Sequence, residues 1–520
     1  MKKKIKVTDS KGKYIEKEIN YIPTRYIVAM LLTIIEIIAI VAIMIILAIY
    51  IPYFYIAMYL TVIGVLIAII GSNENPDHKI PWIIFVIILP IIGFMLYFLF
   101  YKRKLPTKII KRLDKYKTSY VYDDTKNFEK LINQDKLIAS QAKCLCNIAN
   151  THLHKDTKLT YFELGELMHQ DMLLELEKAN RFIFLEFFIV EEGIFWNSIL
   201  DILIKKARQN VEVKLVYDDI GCMSTLPGSY YKMLKKYNID AVPFSKLKGK
   251  ADGEFNNRSH RKILVIDGKV AYTGGVNIAD EYINAYEKYG HWKDTAIKLE
   301  GNAVNELTEL FLSDFYINKK DESVNFNDYY VDYKITNNSF VIPFGDGPKP
   351  IYNKYVGKCV VMNILNQAKD YVYITTPYLI VDTEMMKAIE NAALRGIDVR
   401  MIVPHIPDKK LVFDMTKSNY QELIKSGVKV YEYKPGFIHA KSYIADDKIG
   451  MIGTINLDYR SLTHHFENGV WIYNDKVILD MKEDFINTQN ESIFMNNEKI
   501  KVNFFRKLIR KIIKIFSPLL

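Results

Sequence analysis

Cysteine is scarce in this chain, with four residues among 520. Four cysteines in so long a chain do not form a secreted disulfide framework, and Cys144-Leu-Cys146 lacks the spacing and the second pair of a zinc site. We interpret them as reduced structural thiols. The apolar part of the N-terminal region is several times too long for a signal peptide, and it has no small-residue cleavage site. Its apolar segments are therefore expected to remain in the mature protein.

Acidic residues are absent from 499–514, which carries seven Lys and Arg. This stretch has a net charge of +7, and residues 2–25 and 102–117 have +5 and +7, so the rest of the chain is close to −9 against a total of +10. Basic segments next to apolar ones are typical of proteins that meet anionic lipid headgroups. An acidic body argues against a nucleic-acid groove, which must offset phosphate charge. We therefore expect anionic membrane lipid, and no nucleic acid, as a partner.

Charge is almost missing from residues 26–70, where Glu36 is the only charged side chain. One helix of that length would be about twice as long as a bilayer core is thick, so the chain must fold back. Pro52, between two tyrosines, is the natural break. A third apolar segment ends at the basic residues that follow position 101. We predict a transmembrane region over 26–101, with segments at 26–49, 54–70 and 80–101.

The positive-inside rule places both the basic N-terminal tail, 1–25, and the basic linker, 102–150, in the cytoplasm. That arrangement needs an even number of crossings, which three full spans would violate. Either one segment is re-entrant or interfacial, or the long soluble domain, rather than the charge of the tail, sets the membrane topology. We expect a multi-pass protein of the cell membrane whose soluble domain faces the cytoplasm.

Two stretches of the soluble part have the same order of predicted elements. One begins at Ala179 and the other at Ala368, and each reads as strand, loop, amphipathic helix, turn and strand. This alternation is typical of an α/β fold with a largely parallel sheet. Because a duplicated unit predicts two half-domains related by a pseudo-two-fold axis, we place the halves at 151–335 and 336–498.

Each unit is followed by polar residues at the same offsets, 0, 2, 7, 14 and 17. Taken alone, the first copy predicts two strands joined by a hairpin turn at Asp267-Gly268. Core packing gives no reason for polar residues to recur in one register, so the repetition indicates chemistry. The two copies are His260, Lys262, Asp267, Gly274 and Asn277, and then His439, Lys441, Asp446, Gly453 and Asn456.

Histidine and lysine two positions apart on a strand point to the same face. Two copies brought together would therefore place two histidines and two lysines around one pocket. Lysine and asparagine supply donors for the non-bridging oxygens of a phosphodiester. One histidine can attack phosphorus while the other protonates the leaving alcohol. This chemistry requires no metal, and the sequence has no obvious carboxylate cluster for one, so we expect neither metal nor cofactor.

The two H-x-K-x4-D-x6-G-x-x-N blocks are similar to the signature of the phospholipase D superfamily. The wider pattern resembles bacterial cardiolipin synthases, in "LPIIGFMLYFLF", "VKLVYDDIG", "YGHWKDT", "NLDYRS", Phe466-Glu467 and "FSPLL". The resemblance covers roughly residues 54 to 520. The sequence differs from this pattern at its N-terminal end, where the lysine-rich tail and the segment 26–49 are present in addition to a two-helix membrane anchor.

The resemblance implies an α/β fold of two phospholipase D-like halves with pseudo-two-fold symmetry, preceded by transmembrane helices. It implies transfer of a phosphatidyl group from one phosphatidylglycerol to the hydroxyl of another, which gives cardiolipin and glycerol. By analogy the aspartates support the scaffold, Asp294 and Glu467 are candidates to orient the histidines, and His260 is our choice of nucleophile. The implied catalytic set is His260, Lys262, Asp267, His439, Lys441 and Asp446, and the implied phosphate ligands are Asn277 and Asn456.

The C-terminal segment, 499–520, predicts a basic amphipathic helix that lies on anionic lipid. Four alternatives stay open at this stage. They are a membrane phospholipase D that uses water as acceptor, a phosphatidyltransferase that needs a nucleotide-activated lipid, a nuclease, and a scaffold with an inactive site.

Overall fold

A computed structural model describes residues 2–8, 14–20, 24–50, 53–98, 120–246, 256–319, 324–500 and 502–519. The predicted break at Pro52, the basic stretch 102–117 and parts of the N-terminal tail lie outside the described residues. In the described part of the tail, two strands pair antiparallel, β1 (Lys2–Thr8) and β2 (Tyr14–Asn20).

The apolar N-terminal region forms helices at all three predicted segments. They are α1 (Thr24–Tyr50), α2 (Phe54–Ile70), α3 (Pro76–Ile88) and α4 (Pro90–Leu96). The third segment, predicted over 80–101, begins earlier and is divided at Leu89, because Pro90 has no N–H to continue the helix and its ring clashes with the preceding turn. Among the described residues, one stretch, Met30–Leu47, is long and apolar enough to cross a bilayer by length and composition.

The shorter apolar helices pack on each other and on the soluble part of the chain. Ile69 of α2 is buried against Trp82 of α3 in one apolar cluster. At the start of α3, His78 is fully buried, with its ring 5.2 Å from that of Tyr459. The Asn75 amide donates to Asp382 at 2.8 Å. These contacts fix α3 against the second half of the soluble domain.

Two helices, α5 (Thr125–Gln134) and α6 (Lys136–Ala149), occupy the described part of the predicted linker 102–150. The Asp135 carboxylate caps α6 by accepting from the N–H groups of Leu137 and Ile138. Such a cap satisfies donors that an isolated helix start would leave open.

The first half is a seven-stranded sheet with the order β3-β9-β8-β7-β4-β5-β6. Its strands are β3 (Thr157–Phe162), β4 (Phe182–Phe187), β5 (Glu212–Asp218), β6 (Ile239–Phe244), β7 (Lys262–Ile266), β8 (Val270–Gly274) and β9 (Ala296–Gly301). Its helices are α7 (Gly165–Glu177), α8 (Ile194–Arg208), α9 (Tyr230–Lys235) and α10 (Val304–Asn318).

The second half is an eight-stranded sheet with the order β10-β18-β16-β15-β11-β13-β14-β19, and β12 pairs separately with β17. Its strands are β10 (Phe340–Asp346), β11 (Tyr371–Thr375), β12 (Leu379–Ile380), β13 (Asp398–Pro404), β14 (Lys429–Tyr433), β15 (Ser442–Ala445), β16 (Ile449–Gly453), β17 (Leu457–Asp458), β18 (Glu467–Tyr473) and β19 (Ser492–Met495). Its helices are α11 (Val356–Gln367), α12 (Thr383–Leu394), α13 (Lys410–Lys425), α14 (Tyr459–Thr463), α15 (Val477–Asn490) and α16 (Phe504–Phe516).

The expectation of a largely parallel sheet was wrong. In both sheets only the strands of the repeated unit and the next strand run parallel, β4 with β5 and β6, and β11 with β13 and β14. The other neighbours in each sheet are antiparallel. Among them are the two motif hairpins, β7 with β8 and β15 with β16, since a tight hairpin joins only antiparallel strands. The two sheets nevertheless repeat one plan, in agreement with the predicted duplication.

The two sheets face each other across a shared apolar core. Phe184 and Val265 of the first sheet and Ile444 and Val470 of the second belong to one buried cluster. The outer face of each sheet has its own core, and the core of the second half includes Leu145 of α6. The part of the predicted linker that is helical therefore packs as part of the second half.

We predict that Gly453→Ala destabilises the second sheet. A Cβ at this position would lie 2.4 Å from the Asn468 carbonyl oxygen in the neighbouring strand, so the backbone must shift. Overpacking of this kind costs about 1–3 kcal/mol, and the thermal unfolding midpoint of the purified protein should fall. Gly64→Ala, inside helix α2 where a Cβ meets no atom within 4 Å, is the control and should not lower the midpoint, since alanine favours a helix more than glycine does. Equal midpoints for the two variants would contradict this packing.

Candidate active site

The two motif aspartates hold the motif hairpins to the neighbouring strand. Asp267 accepts from the N–H groups of three successive residues that lead into β4, at 2.8–2.9 Å: Asn180, Arg181 and Phe182. Asp446 likewise accepts from the N–H groups of three successive residues that lead into β11: Lys369, Asp370 and Tyr371. Both aspartates have a positive φ, of 53° and 55°, as the hairpin turn requires. Their carboxylates are occupied by backbone donors.

The two motif histidines lie where the halves meet. The His260 N–H donates to the Phe466 carbonyl at 2.8 Å, and the His439 N–H donates to the Lys293 carbonyl at 2.7 Å. Each of these bonds joins a motif of one half to a segment of the other. Both side chains are almost fully buried. The interface between the halves therefore positions both imidazoles.

Each histidine is paired with a carboxylate from the opposite half. His260 Nδ1 lies 2.9 and 3.0 Å from the two carboxylate oxygens of Glu467, and His439 Nδ1 lies 2.6 Å from Asp294 Oδ2. A carboxylate at Nδ1 sets the tautomer and orientation of the ring and leaves Nε2 for chemistry. The structure thus brings both predicted orienting residues to the histidines and decides which residue serves which ring.

The motif lysines are buried beside the histidines. Lys262 Nζ donates to the His260 carbonyl at 2.7 Å, and Lys441 Nζ lies 2.8 Å from His439 Nδ1. Burial and the charge of Lys441 lower the pKa of Lys262 to about 7, and burial lowers the pKa of Lys441 to about 8. Two buried ammonium groups form a positive site that an anion would stabilise.

Burial keeps both imidazoles neutral at pH 7. It lowers the pKa of His260 to about 3, and burial together with Lys441 holds the pKa of His439 well below its usual range. Burial also raises the pKa of Asp294 to about 7. Burial also tends to raise the pKa of Glu467. Attraction to His260 and hydrogen bonds from His260 and His465 outweigh it and hold that pKa below its usual range. The Asp294–His439 pair therefore holds a proton near neutral pH, whereas Glu467 is anionic.

The two motif asparagines differ in their surroundings. The Asn277 amide donates to the Tyr282 hydroxyl at 2.8 Å, and its carbonyl oxygen accepts from the Ile189 N–H. The carbonyl oxygen of Asn456 is buried without a hydrogen-bond partner among the described residues. The Asn277 side chain is held by protein contacts at both ends, and that of Asn456 is less constrained.

The residue after the shared glycine differs between the copies for a steric reason. In the first copy it is Gly275, where a Cβ would lie 2.0 Å from a carboxylate oxygen of Asp294. In the second copy it is Thr454, whose hydroxyl donates to Glu467. The smaller residue leaves room for Asp294, and the larger one adds a donor that supports the other carboxylate.

Sequence reasoning missed His465 and Ser461. The His465 ring centroid lies 5.6 Å from that of His260, and the Ser461 hydroxyl donates to Glu467 at 2.6 Å. Neither residue belongs to the repeated offsets. Ser461 ends the stretch "NLDYRS" that carries the resemblance, and His465 is indicated only by its position close to Glu467 in the sequence. His260, His465 and Glu467 place ligand atoms within 4.8 Å of one another and are the residues here that could hold a cation.

Buried arginines fix the segment that carries His260. Arg258 binds Asp218 through two guanidinium nitrogens, at 2.9 Å, and Arg261 binds Asp314 at 2.7 Å. A buried ion pair holds its geometry because separating the two partners would leave a charge buried without compensation, which is costly. His260 therefore sits between two anchored residues.

Comparison with known proteins agrees with this architecture. The family described as "Cardiolipin synthase, PLD-like domain" matches residues 172–312 and 361–489, one match in each half, and "Phospholipase_D-nuclease N-terminal" matches residues 60–100. A cardiolipin synthase of Clostridium perfringens is 34% identical over 476 residues, which cover 86% of this chain and 95% of the relative. The chain is a phosphatidyltransferase of the phospholipase D type. Within that class, it belongs to the cardiolipin synthase family.

Two further similarities complete the comparison. An uncharacterised protein of Streptococcus mutans is 41% identical over 465 residues, covering 88% of this chain and all of the relative. The crystal structure of a phosphatidylserine synthase of Haemophilus influenzae matches with a TM-score of 0.56 and 16% identity, over 73% of this chain and 98% of that one. At this identity the second similarity shows the fold alone.

We predict that Asp267→Ala lowers stability. The change leaves three N–H groups without their acceptor, of which that of Phe182 is buried, and a buried unsatisfied donor costs about 1–3 kcal/mol. Thermal unfolding of the purified protein at pH 7 measures the effect. Lys269→Ala, at an exposed position of the same hairpin turn, should unfold at the wild-type temperature. A wild-type midpoint for Asp267→Ala would show that its backbone bonds are dispensable.

Proposed function

We propose that the protein transfers a phosphatidyl group from one phosphatidylglycerol to the hydroxyl of a second one, giving cardiolipin and glycerol through a phospho-histidine. The observation that carries this proposal is the pairing of two neutral, buried histidines with carboxylates of opposite halves, beside two buried lysines. Membership of the cardiolipin synthase family supports the substrate class.

In the first step Nε2 of His260 attacks the phosphorus, and the bond from phosphorus to the glycerol headgroup oxygen breaks. His439 gives a proton to that oxygen, so glycerol leaves and the phosphatidyl group is bound to His260. In the second step His439 takes the proton of a hydroxyl on the incoming phosphatidylglycerol. That oxygen attacks phosphorus, the phosphorus–nitrogen bond breaks and cardiolipin is released.

The two carboxylates support this division of roles. An anionic Glu467 holds the Nδ1 proton of His260 and increases the nucleophilicity of its neutral Nε2. Asp294, with its pKa raised to about 7 by burial, shares a proton with His439. A residue that must first give and then take a proton works best with such a pair, because a pKa near the working pH favours both transfers.

Lys262 and Lys441 are proposed to bind the non-bridging phosphate oxygens, whose negative charge grows in the transition state. Asn277 and Asn456 are proposed as further phosphate ligands, with Asn456 the less constrained of the two. Asp267 and Asp446 are proposed to act on structure, by holding the hairpins that carry the lysines. Neither a metal nor a cofactor enters the proposed steps.

We further propose a multi-pass membrane protein whose two halves face the cytoplasm. The basic tail and linker support this arrangement through the positive-inside rule when an even number of the apolar segments crosses the bilayer. The proposed partners are phosphatidylglycerol and other anionic lipid, with no nucleic acid, in agreement with the acidic charge of the body.

Purified protein given labelled phosphatidylglycerol should form cardiolipin and glycerol in equal amounts. Phosphatidic acid without cardiolipin would instead identify a hydrolase that uses water as acceptor. His260→Ala and His439→Ala should each reduce turnover by at least about a thousandfold, since the two groups act as a unit, and both variants should remain folded. His405→Ala, which removes a partly exposed histidine outside the site, should keep wild-type turnover.

A phosphatidyl ester of 4-nitrophenol separates the two roles, because nitrophenolate leaves without a proton. His439→Ala should release about one nitrophenolate per protein and accumulate the phospho-enzyme, and His260→Ala should release none. The opposite pattern would assign the nucleophile to His439. The burst in nitrophenolate absorbance, together with alkaline quenching of the labelled protein, provides the measurement.

We predict that kcat/KM falls as the pH rises above 7 to 8. Lys262 and Lys441, with pKa values lowered to about 7 and about 8, are charged below these values and lose their charge above them. Because kcat/KM reports the free enzyme, loss of one of these charges should lower it by about tenfold per pH unit, and loss of both should lower it more steeply. Asp294, with its pKa raised to about 7, loses the proton that it shares with His439 over the same range and adds to the fall. Samples returned from pH 9 to pH 7 must recover full activity. A profile that is flat or rises from pH 7 to 9 would contradict the role of the lysines.

A further inference from the structure

A basic cavity of about 490 Å³ lies between α13, α16 and three residues that precede α16, Asn497, Ile500 and Val502. Cavities of this size commonly hold ligands. No residue of the catalytic motifs lines it, and none of the described residues that line it is acidic. Six lining side chains are cationic: Lys417, Lys425, Lys507, Arg510, Lys511 and Lys514.

Several of these cations have unused hydrogen-bond donors. In the described part of the chain, Lys425, Lys507 and Lys511 form no ion pair. Arg510 is only 8% exposed, and its Nη2 binds Asp414 at 2.8 Å, but its Nε is buried without a hydrogen-bond partner. A buried donor without an acceptor is costly. An oxyanion in the cavity would supply that acceptor, and phosphate suits both guanidinium and ammonium groups.

The position of α16 indicates where such an anion comes from. The opposite face of this helix is apolar and open, with Phe504 and Phe505 each 74% exposed. At its C-terminal end, the Phe516 ring lies 5.2 Å from that of Phe85 in α3, so α16 adjoins the apolar N-terminal helices. An amphipathic helix of this kind lies at the boundary between headgroups and acyl chains. Its basic face, and the cavity beneath it, are then at the depth of the lipid phosphates.

We propose that this cavity binds the headgroup phosphate of an anionic phospholipid, at a site separate from the catalytic one. The phosphate bridges α13 and α16, with Arg510 Nε as the buried donor and the lysines around it. The bound lipid holds α16 against the soluble domain and fixes the distance between the halves and the bilayer surface. The proposal depends on the cavity alone and does not depend on which histidine reacts.

Full-length protein in a non-ionic detergent, titrated with labelled dihexanoyl phosphatidic acid, tests the proposal. The wild type should bind two molecules, one at the catalytic site and one in the cavity. Lys507→Glu combined with Lys511→Glu should leave one, with affinity for the other reduced at least tenfold. Lys425→Ala, on the opposite wall, should weaken the same site by a smaller factor. Unchanged unfolding midpoints would show that these variants are folded.

The control is Lys126→Glu combined with Lys130→Glu, which reverses two exposed lysines at the same spacing on α5. It should bind two lipids like the wild type. A single site in the wild type that the Lys507 and Lys511 changes leave intact would overturn the proposal. Displacement of the cavity lipid by inorganic phosphate at equal concentration would overturn its assignment to a lipid. If the wild type binds lipid in the cavity but makes no cardiolipin from phosphatidylglycerol, the proposed function is refuted and the cavity site is not.

Discussion

The hydrogen bonds between each motif histidine and a carboxylate of the opposite half are the interactions on which the site depends. Glu467 holds His260 and Asp294 holds His439, so neither half contains a complete site. Separation of the halves by even one or two ångströms would break both pairs, because hydrogen bonds weaken steeply with distance. The apolar core shared by the two sheets and the backbone bonds that cross between them keep the pairs in register.

Burial gives the site its chemical character. Water would leave both imidazoles partly protonated and both lysines fully charged at neutral pH. In the structure the imidazoles are neutral, and the pKa values of Lys262 and Lys441 lie at about 7 and about 8. A phosphate bound beside the two lysines would favour their charged forms. Binding energy and positive charge are thus concentrated where a phosphodiester would react.

The helices α3 and α16 connect the soluble domain to the apolar N-terminal region. In the described part of the chain, the helices α3 and α16 contact each other, and both contact the second half. The helix α16 adjoins the apolar N-terminal region through Phe516, its apolar face is exposed, and its basic face covers a cationic cavity. Among the described residues, the exposed apolar face of α16 and the basic cavity are therefore associated with the second half, which breaks the near two-fold symmetry of the domain.

The sequence by itself determined the duplication, the chemistry of the motifs and the apolar segments, because each depends on residue type and spacing along the chain. It also pointed to Asp294 and Glu467. Tertiary structure alone decided their exchange between halves, the place of His465 beside His260, the mixed sheets and the packing of α6 with the second half. These depend on contacts between residues far apart in the chain, which local patterns do not encode. The pKa values follow for the same reason, since burial is a property of the fold.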